Sequence, residues 1–291
     1  MTPAEVAGGR LLVCPTPIGN LQDVTLRVLD ALAAADAIAC EDTRHTRVLL
    51  KAHGVSAQLI SLHEHNEQAR ARELVARMRG GETIALVSDA GMPLVSDPGF
   101  ALVRDCVAAD VPVEVLPGAS AVTTALVASG LPAERWCFAG FLPRKRAELQ
   151  RLLAQAGETI VAFESPRRLA ATLGVLRELD PGRQAAVCRE LSKLHEEVRR
   201  GTAAELAAHY GAEAARGEIV LVIGAAEAGA ASREEALAAL RELVAAGARA
   251  RPAAGVVARI SGLGANELYR ELTRERRREK GEEHDEGRGE I

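Results

Sequence analysis

Short apolar runs alternate with amphipathic segments along most of this chain. The clearest run extends from Ile84 to Val87 and is bounded by turn residues. It is too short for a buried helix, so it predicts a strand that is covered on both faces. A helix is expected after Asp23 or Thr25, with Leu26, Leu29 and Leu32 at the spacing of a core-facing stripe. The alternation predicts an α/β fold whose first sheet is mainly parallel.

The same pattern divides the chain into domains. Five strands that alternate with helices predict an N-terminal α/β domain at 10–130, and further strands predict a second α/β domain at 131–226. After a linker of small residues, three short helices separated by Gly predict a helical appendage at 232–275. The mixed charge run at 276–291 predicts a disordered tail.

A stiff loop follows the strand that ends at Val87. The segment from Ser88 to Gly99 contains two Gly and two Pro, which favour a rigid loop that permits close approach. Either Ser96 or Asp97 is suited to cap a helix that starts at Pro98. Ligands of open α/β sheets bind beyond the carboxyl ends of the strands, so this loop is a candidate binding loop. A tight strand-to-helix connection is the alternative interpretation.

Composition narrows the possible partners. The net charge of −4 gives no overall attraction to nucleic acid, so a polyanion would have to meet a local patch. Basic residues recur in three connections, at 144–146, at 167–168, and at 189 with 193, and they would form a positive rim if those connections shared one sheet edge. The five cysteines lack metal-type spacing and predict a reduced, cytoplasmic protein. No apolar stretch has membrane length, so no membrane association is expected.

Two polar clusters follow predicted strands. Glu41 to Arg47 is dense in acids, bases and hydroxyl groups, which fits either an N-cap with a solvated first turn or polar groups that face a cleft. His63 and His65 flank a Glu, but no third ligand lies nearby in sequence, so no metal site is expected. The first loop, from Pro15 to Asn20, lacks the glycine pattern of a dinucleotide site.

Seven of these segments occur in an order that resembles one family. They are Cys-Pro-Thr-Pro-Ile-Gly-Asn-Leu-Gln-Asp (14–23), Cys-Glu-Asp-Thr-Arg (40–44), Ser-Asp-Ala-Gly-Met-Pro-Leu-Val-Ser-Asp-Pro-Gly (88–99), Leu-Pro-Gly-Ala-Ser-Ala (116–121), Phe-Leu-Pro-Arg-Lys (141–145), Phe-Glu-Ser-Pro-Arg-Arg (163–168) and Arg-Glu-Leu-Ser-Lys-Leu-His-Glu-Glu (189–197). The chain resembles the bacterial 16S rRNA (cytidine-2′-O)-methyltransferases, of the tetrapyrrole-methylase-like class. The resemblance covers roughly residues 10–275.

The resemblance implies two α/β domains of the tetrapyrrole methylase type, with S-adenosylmethionine in the cleft between them. It also implies a homodimer that methylates a cytidine ribose in the decoding region of the small-subunit rRNA. By position, the cofactor contacts would be Ile18, Asp89, Met92, Ser120, Ala121, Phe163 and Leu191. The RNA contacts would be Arg44, Arg47, Arg144, Lys145, Arg146, Arg167, Arg168, Arg189 and Lys193.

The implied reaction is an in-line attack of a ribose 2′-hydroxyl on a sulfonium methyl, for which positioning supplies most of the acceleration. A base would add to it, and the sequence offers Asp42, Glu41 and Lys145 without choosing among them. No metal is needed. Two other hypotheses remain open at this point. One is methylation of a corrin or porphyrin precursor, and the other is a non-enzymatic RNA-binding protein with a degenerate cofactor site.

Overall fold

The computed structural model describes residues 9–226 and 233–286 of the 291. Contacts divide the chain into two compact units, Met1–Ala225 and Ala226–Ile291. The first unit contains two five-stranded sheets, and the second contains three helices. The domain boundary predicted between 130 and 131 lies in the segment that joins the last helix of the first sheet to the next strand.

The first sheet is parallel throughout, as predicted. Its strands are β1 (Arg10–Val13), β2 (Ala37–Cys40), β3 (Leu59–Ser61), β4 (Thr83–Val87) and β5 (Val113–Val115), in the order β3-β2-β4-β1-β5. The helices around it are α1 (Leu26–Ala34), α2 (Thr43–Ala52), α3 (Glu67–Arg79), α4 (Phe100–Ala108) and α5 (Ala121–Ser129). Residues Ala37–Cys40 and Ile84–Val87 are buried on both faces, which explains their unbroken apolar runs.

The second sheet is mixed. Its strands are β6 (Trp136–Phe141), β7 (Thr159–Glu164), β8 (Gln184–Arg189), β9 (Glu197–Thr202) and β10 (Ile219–Ile223), in the order β6-β7-β10-β8-β9. Helices α6 (Arg146–Gln155), α7 (Leu169–Leu179) and α8 (Ala203–Ala212) complete this half. One face of the sheet forms a core with these helices. The other face packs against α5 of the first half, through Val122, Ala125 and Leu126. The helix α5 therefore joins the two halves.

The start of α4 differs from the prediction. The helix begins after Gly99, whose φ of 128° is one that residues with a side chain rarely adopt. The carboxylate of Glu67, on α3, accepts hydrogen bonds from two backbone N–H groups at this helix start, at 2.9 and 2.7 Å. The prediction that Ser96 or Asp97 caps a helix starting at Pro98 is wrong, because a carboxylate distant in sequence satisfies those donors.

The second unit has its own small core. It consists of α9 (Arg233–Ala245), α10 (Ala250–Ser261) and α11 (Ala265–Glu286). Leu240, Ala254 and Leu268 are almost fully buried among the three helices. Gly262 ends α10 in the left-handed conformation. The helix α11 extends beyond residue 276, where the tail was predicted to start, and residues 287–291 lie outside the described part of the chain.

Candidate active site

Three loops lock together at the carboxyl edge of the first sheet. Thr16, after β1, and Gly91, after β4, exchange two backbone hydrogen bonds of 2.9 and 3.0 Å. The Thr16 hydroxyl also donates to the Ser88 carbonyl oxygen at 2.9 Å. Gly118, after β5, lies so close to Pro15 that a Cβ at this position would be 2.7 Å from a proline carbon. These contacts make the loops one rigid wall, as their Gly and Pro content predicted.

The loop after β8 closes this wall from the second half of the unit. A Cβ on Gly19 would lie 2.8 Å from the Leu191 carbonyl oxygen and 2.5 Å from Lys193 Cγ. The Ser192 hydroxyl donates to the Asp23 carboxylate. Close contacts therefore join the loop after β1 to the loop after β8.

A cavity of about 350 Å³, here called the first cavity, lies between the two halves. Four of the seven predicted cofactor contacts line it, namely Ile18, Ala121, Phe163 and Leu191. Its volume is in the range of small-molecule sites, roughly 300–1,000 Å³. The structure therefore brings residues from both predicted domains to one ligand-sized space.

Strained backbone surrounds this space. Within the described chain, five residues other than glycine have a positive φ, and four of them lie in the two loops that face each other across the first cavity. They are Leu94 and Ser96 in the loop after β4, and Glu190 and Ser192 in the loop after β8. Such conformations cost about 1–3 kcal/mol each and concentrate at ligand-binding sites.

A second cavity, of about 270 Å³, adjoins the first and shares Ile18, Ala90 and Glu218 with it. Asp89 lines this second cavity, and its carboxylate accepts a hydrogen bond of 3.2 Å from the Asp42 backbone N–H. The predicted contacts Met92 and Ser120 line neither cavity. Ser120 is the N-cap residue of α5, yet its side chain makes no capping hydrogen bond.

The three predicted bases have different surroundings. Asp42 is the N-cap of α2, and the Arg44 side chain and backbone N–H hold the pKa of its carboxyl at about 2. Burial, with help from Asp89 and Asp42, raises the pKa of Glu41. Lys145 is 81% exposed and pairs with Glu148 at 3.1 Å. Of the three, only Glu41 combines partial burial with a carboxylate that no cation occupies.

Asp97 is an acid that the sequence analysis assigned only to a helix cap. It lines the first cavity. The pKa of its carboxyl is raised to about 6, mainly by burial and to a smaller extent by Glu41 and Asp89, against a hydrogen bond with Ser88 that lowers it. An Asp in a rigid loop after a strand is a signal for a site residue. The sequence analysis interpreted this Asp as a helix cap and therefore did not propose it as a site residue.

The sequence analysis also missed the segment from Gly217 to Val220, which lines the first cavity. Candidate residues were taken from segments that come after strands, whereas this segment comes before β10. Because β10 runs antiparallel to β7, its beginning lies at the edge where β7 ends. No signal in the sequence indicates that orientation.

The three basic connections do share one sheet edge. The strands β6 and β7 are parallel, and β10 is antiparallel to both β7 and β8, so β6, β7 and β8 run in the same direction. The connections that follow them start at that edge. The positive rim was predicted on the condition that these connections share one sheet edge, and this condition is confirmed.

Most cations of this rim are paired. Ion pairs hold Lys145, Arg146, Arg168, Arg189 and Lys193. Arg44, on α2, pairs with Asp42 in the same manner. Of the nine predicted RNA contacts, all within the described chain, Arg47, Arg144 and Arg167 are exposed and form no ion pair.

Arg168 in particular is a structural residue. Its guanidinium donates to the carbonyl oxygens of Leu142 and Pro143, at 3.1 and 2.7 Å. It also lies 3.5 Å from the buried carboxylate of Glu164. Its guanidinium therefore fixes the basic connection after β6, and its neighbour Arg167 is the cation that faces solvent.

Neither a metal site nor a membrane span is found among the described residues. No three His, Cys, Asp or Glu side chains there are grouped so that they could hold a metal ion. No helix there has the length and apolar character needed to cross a bilayer.

The chain has two sheets with a ligand-sized cavity between them, and loops of both halves surround that cavity. These features define the class of protein. The model of the tetrapyrrole (corrin/porphyrin) methylases matches residues 10–207, and the chain belongs to this family. This confirms the predicted fold class and the family resemblance.

Relatives make the assignment more specific. The chain is 49% identical to ribosomal RNA small subunit methyltransferase I of Mesorhizobium japonicum, over 78% of this chain and 79% of the relative. The enzyme of that name from Thermotoga maritima is 41% identical over 75% of this chain and all of the relative. Among solved structures, uroporphyrin-III-C-methyltransferase from Thermus thermophilus has a TM-score of 0.55 at 23% identity, and covers 75% of this chain and 94% of its own. Diphthine synthase has a TM-score of 0.59 at 16% identity, over 75% and 90% of the two chains.

Proposed function

We propose that this protein transfers the methyl group of S-adenosylmethionine to the 2′-hydroxyl of a cytidine ribose in the decoding region of 16S rRNA. The first cavity carries this proposal: it lies between the two halves of a methylase fold and is lined by four of the seven predicted cofactor contacts. The relatives at 41–49% identity, named as small-subunit rRNA methyltransferases, support an rRNA substrate.

The residues of the first cavity fit the cofactor. Ile18, Phe163 and Leu191 offer apolar walls to a nucleoside ring system. When bound, S-adenosylmethionine supplies a methyl group on a good leaving group. The rigid loops of the first half orient the reactants, and the loop after β8 excludes water from them. Such positioning is the main source of acceleration that this chemistry requires.

A methylase of a corrin or porphyrin precursor is less well supported. The tetrapyrrole methylase with the matching fold is only 23% identical, whereas the rRNA methyltransferases reach 49%. A non-enzymatic RNA-binding protein would not need the strained, ligand-sized cavity that this chain maintains.

We further propose a cytoplasmic homodimer. The chain has a net charge of −4, and three exposed, unpaired cations are few for a grip on a ribosomal subunit. A two-fold dimer presents two copies of the basic rim to the RNA. It needs only one self-complementary contact surface on each protomer. On α4, Phe100 and Val107 lie two turns apart on one face, and both are about two-thirds exposed. Sedimentation should give a species of twice 30.7 kDa at micromolar concentration, and a fully active monomer would contradict this.

Methyl transfer to isolated substrates tests the reaction. The protein is incubated with S-adenosylmethionine labelled in the methyl group and either undermethylated small ribosomal subunits or uroporphyrinogen. We expect label in 16S rRNA, located by nuclease digestion to a 2′-O-methylcytidine. Label in the tetrapyrrole alone would establish the alternative, and RNA binding with neither cofactor binding nor methyl transfer would favour the non-enzymatic hypothesis.

A further inference from the structure

One carboxylate of the cleft does not cap the helix that follows it, and its hydrogen-bond partner is Ser88. Asp97 precedes α4, where an acidic side chain would ordinarily cap the helix. Glu67 already accepts the hydrogen bonds of that helix start, at 2.9 and 2.7 Å. The turn at Gly99, with φ 128°, separates Asp97 from the helix. As a result, Asp97 lines the first cavity instead of the helix terminus.

The charged groups around Asp97 come from several elements. Glu41 follows β2 and Asp89 follows β4, and both oppose ionisation of the Asp97 carboxyl. Glu164 at the end of β7 and Glu218 before β10 are the other acids that line the first cavity. Glu164 is occupied by Arg168 and Thr172, and Glu218 by Lys193. Of the three acids that line this cavity, Asp97 is the one that forms no ion pair with any residue the structure describes.

Two properties of this carboxyl suit proton transfer. It lines a cavity that is mainly apolar, where it can meet a bound substrate without a competing cation. Burial places its pKa at about 6, close to the pH at which the protein would work, and a general base is most effective there. A carboxyl with an ordinary pKa would accept a proton much less readily.

We propose that Asp97 accepts the proton of the ribose 2′-hydroxyl during methyl transfer, an assignment that rests on the proposed function. The O–H bond breaks and its proton moves to a carboxylate oxygen of Asp97. The hydroxyl oxygen forms the new bond to the methyl carbon, and the electrons of the broken S–C bond remain on sulfur. A carboxylate and a sulfonium become a neutral acid and a neutral thioether, so a low-dielectric cleft favours the step. The proton then leaves to water.

The other candidate bases fit this role less well. The Asp42 carboxylate is engaged by Arg44 at 2.8 Å, which stabilises its ionised form. Lys145 is exposed and paired with Glu148. Burial also raises the pKa of Glu41, but this residue lines neither cavity. These differences make Glu41 the comparison residue for any test.

The test combines kinetics with a direct titration. Single-turnover methylation of undermethylated small subunits is measured from pH 5 to 8 for the wild type and for Asp97→Asn, Glu41→Gln and Asp110→Asn. Asp110 is exposed in the loop after α4 and provides the same chemical change away from the cavity. The carboxyl carbon of Asp97 is titrated by ¹³C NMR without substrate, and the Asn variant assigns its signal. Calorimetry measures the affinity for S-adenosylhomocysteine.

The expected results separate proton transfer from a structural role. Asp97→Asn should lower the single-turnover rate roughly 10²- to 10⁴-fold and remove the fall of the wild-type rate below pH 6, with S-adenosylhomocysteine affinity within about threefold. The Asp97 signal should titrate near pH 6, and Asp110→Asn should match the wild type.

Three results would overturn the proposal. They are an unchanged rate in Asp97→Asn, a loss of cofactor affinity that accounts for its whole rate loss, or disappearance of the low-pH fall in Glu41→Gln instead. Failure of the wild type to methylate any rRNA would refute the proposed function itself, whatever the titration shows.

Discussion

Replacement of Asp97 by Asn should stabilise the protein at neutral pH although it impairs the reaction. The folded protein raises the pKa of this carboxyl from its ordinary 3.8 to about 6, mainly by burial. The folded state therefore binds the proton more tightly than the unfolded state, and stability is lost as pH rises from about 4 through 6. At 1.4 kcal/mol for each tenfold change, the cost of the ionised carboxylate at pH 7.5 is about 3 kcal/mol.

An Asn at this position cannot ionise and avoids that cost. We expect Asp97→Asn to raise the free energy of unfolding by up to about 3 kcal/mol at pH 7.5, with no gain at pH 3.5. For a protein of this size the gain corresponds to a rise of roughly 5–10 °C in the melting temperature. Urea and thermal unfolding at the two pH values measure it, with Asp110→Asn as the control. Equal stability of the variant and the wild type at pH 7.5 would refute the reasoning.

Two further predictions concern the rim and the cleft. Arg168→Met should destabilise the fold by roughly 3–5 kcal/mol in urea unfolding, since it leaves the buried Glu164 carboxylate without its cation. Arg167→Ala should leave stability within about 0.5 kcal/mol and flatten the salt dependence of RNA binding by a slope of about 1; the opposite pattern would reverse the two roles. Gly19→Ala should weaken S-adenosylhomocysteine binding by roughly tenfold or more, because a Cβ would lie 2.8 Å from a facing carbonyl oxygen. Gly157→Ala, in open space, should bind as the wild type does, and equal affinity in both variants would show that the cleft does not depend on this contact.

The sequence predicted the sheets well because their signal is local. Apolar runs such as Ile84 to Val87 need no partner to be recognised, and the loops after them are marked by their Gly and Pro. The contact between the start of α3 and the start of α4 shows the limit of such local signals. Nothing near Gly99 in sequence indicates that Glu67, more than thirty residues earlier, supplies the cap.

The candidate site was predicted only in part for a similar reason. The family resemblance implied Ile18 and Phe163, whereas Gly217 was missed because it precedes a strand that runs antiparallel. The sequence around a basic residue in a loop also does not show whether an acidic residue will form an ion pair with it. Arg189 and Arg167 are alike in sequence, but Glu197 forms an ion pair with Arg189, whereas no acid in the described part of the chain pairs with Arg167. Such pairings depend on the tertiary structure.

Mass spectrometry of 16S rRNA from cells that lack this protein tests the central claim most directly. We expect one 2′-O-methylcytidine of the decoding region to disappear from the digested rRNA, the wild-type protein to restore it, and Asp97→Asn to restore much less. An unchanged level of that nucleotide in cells without the protein would contradict the account.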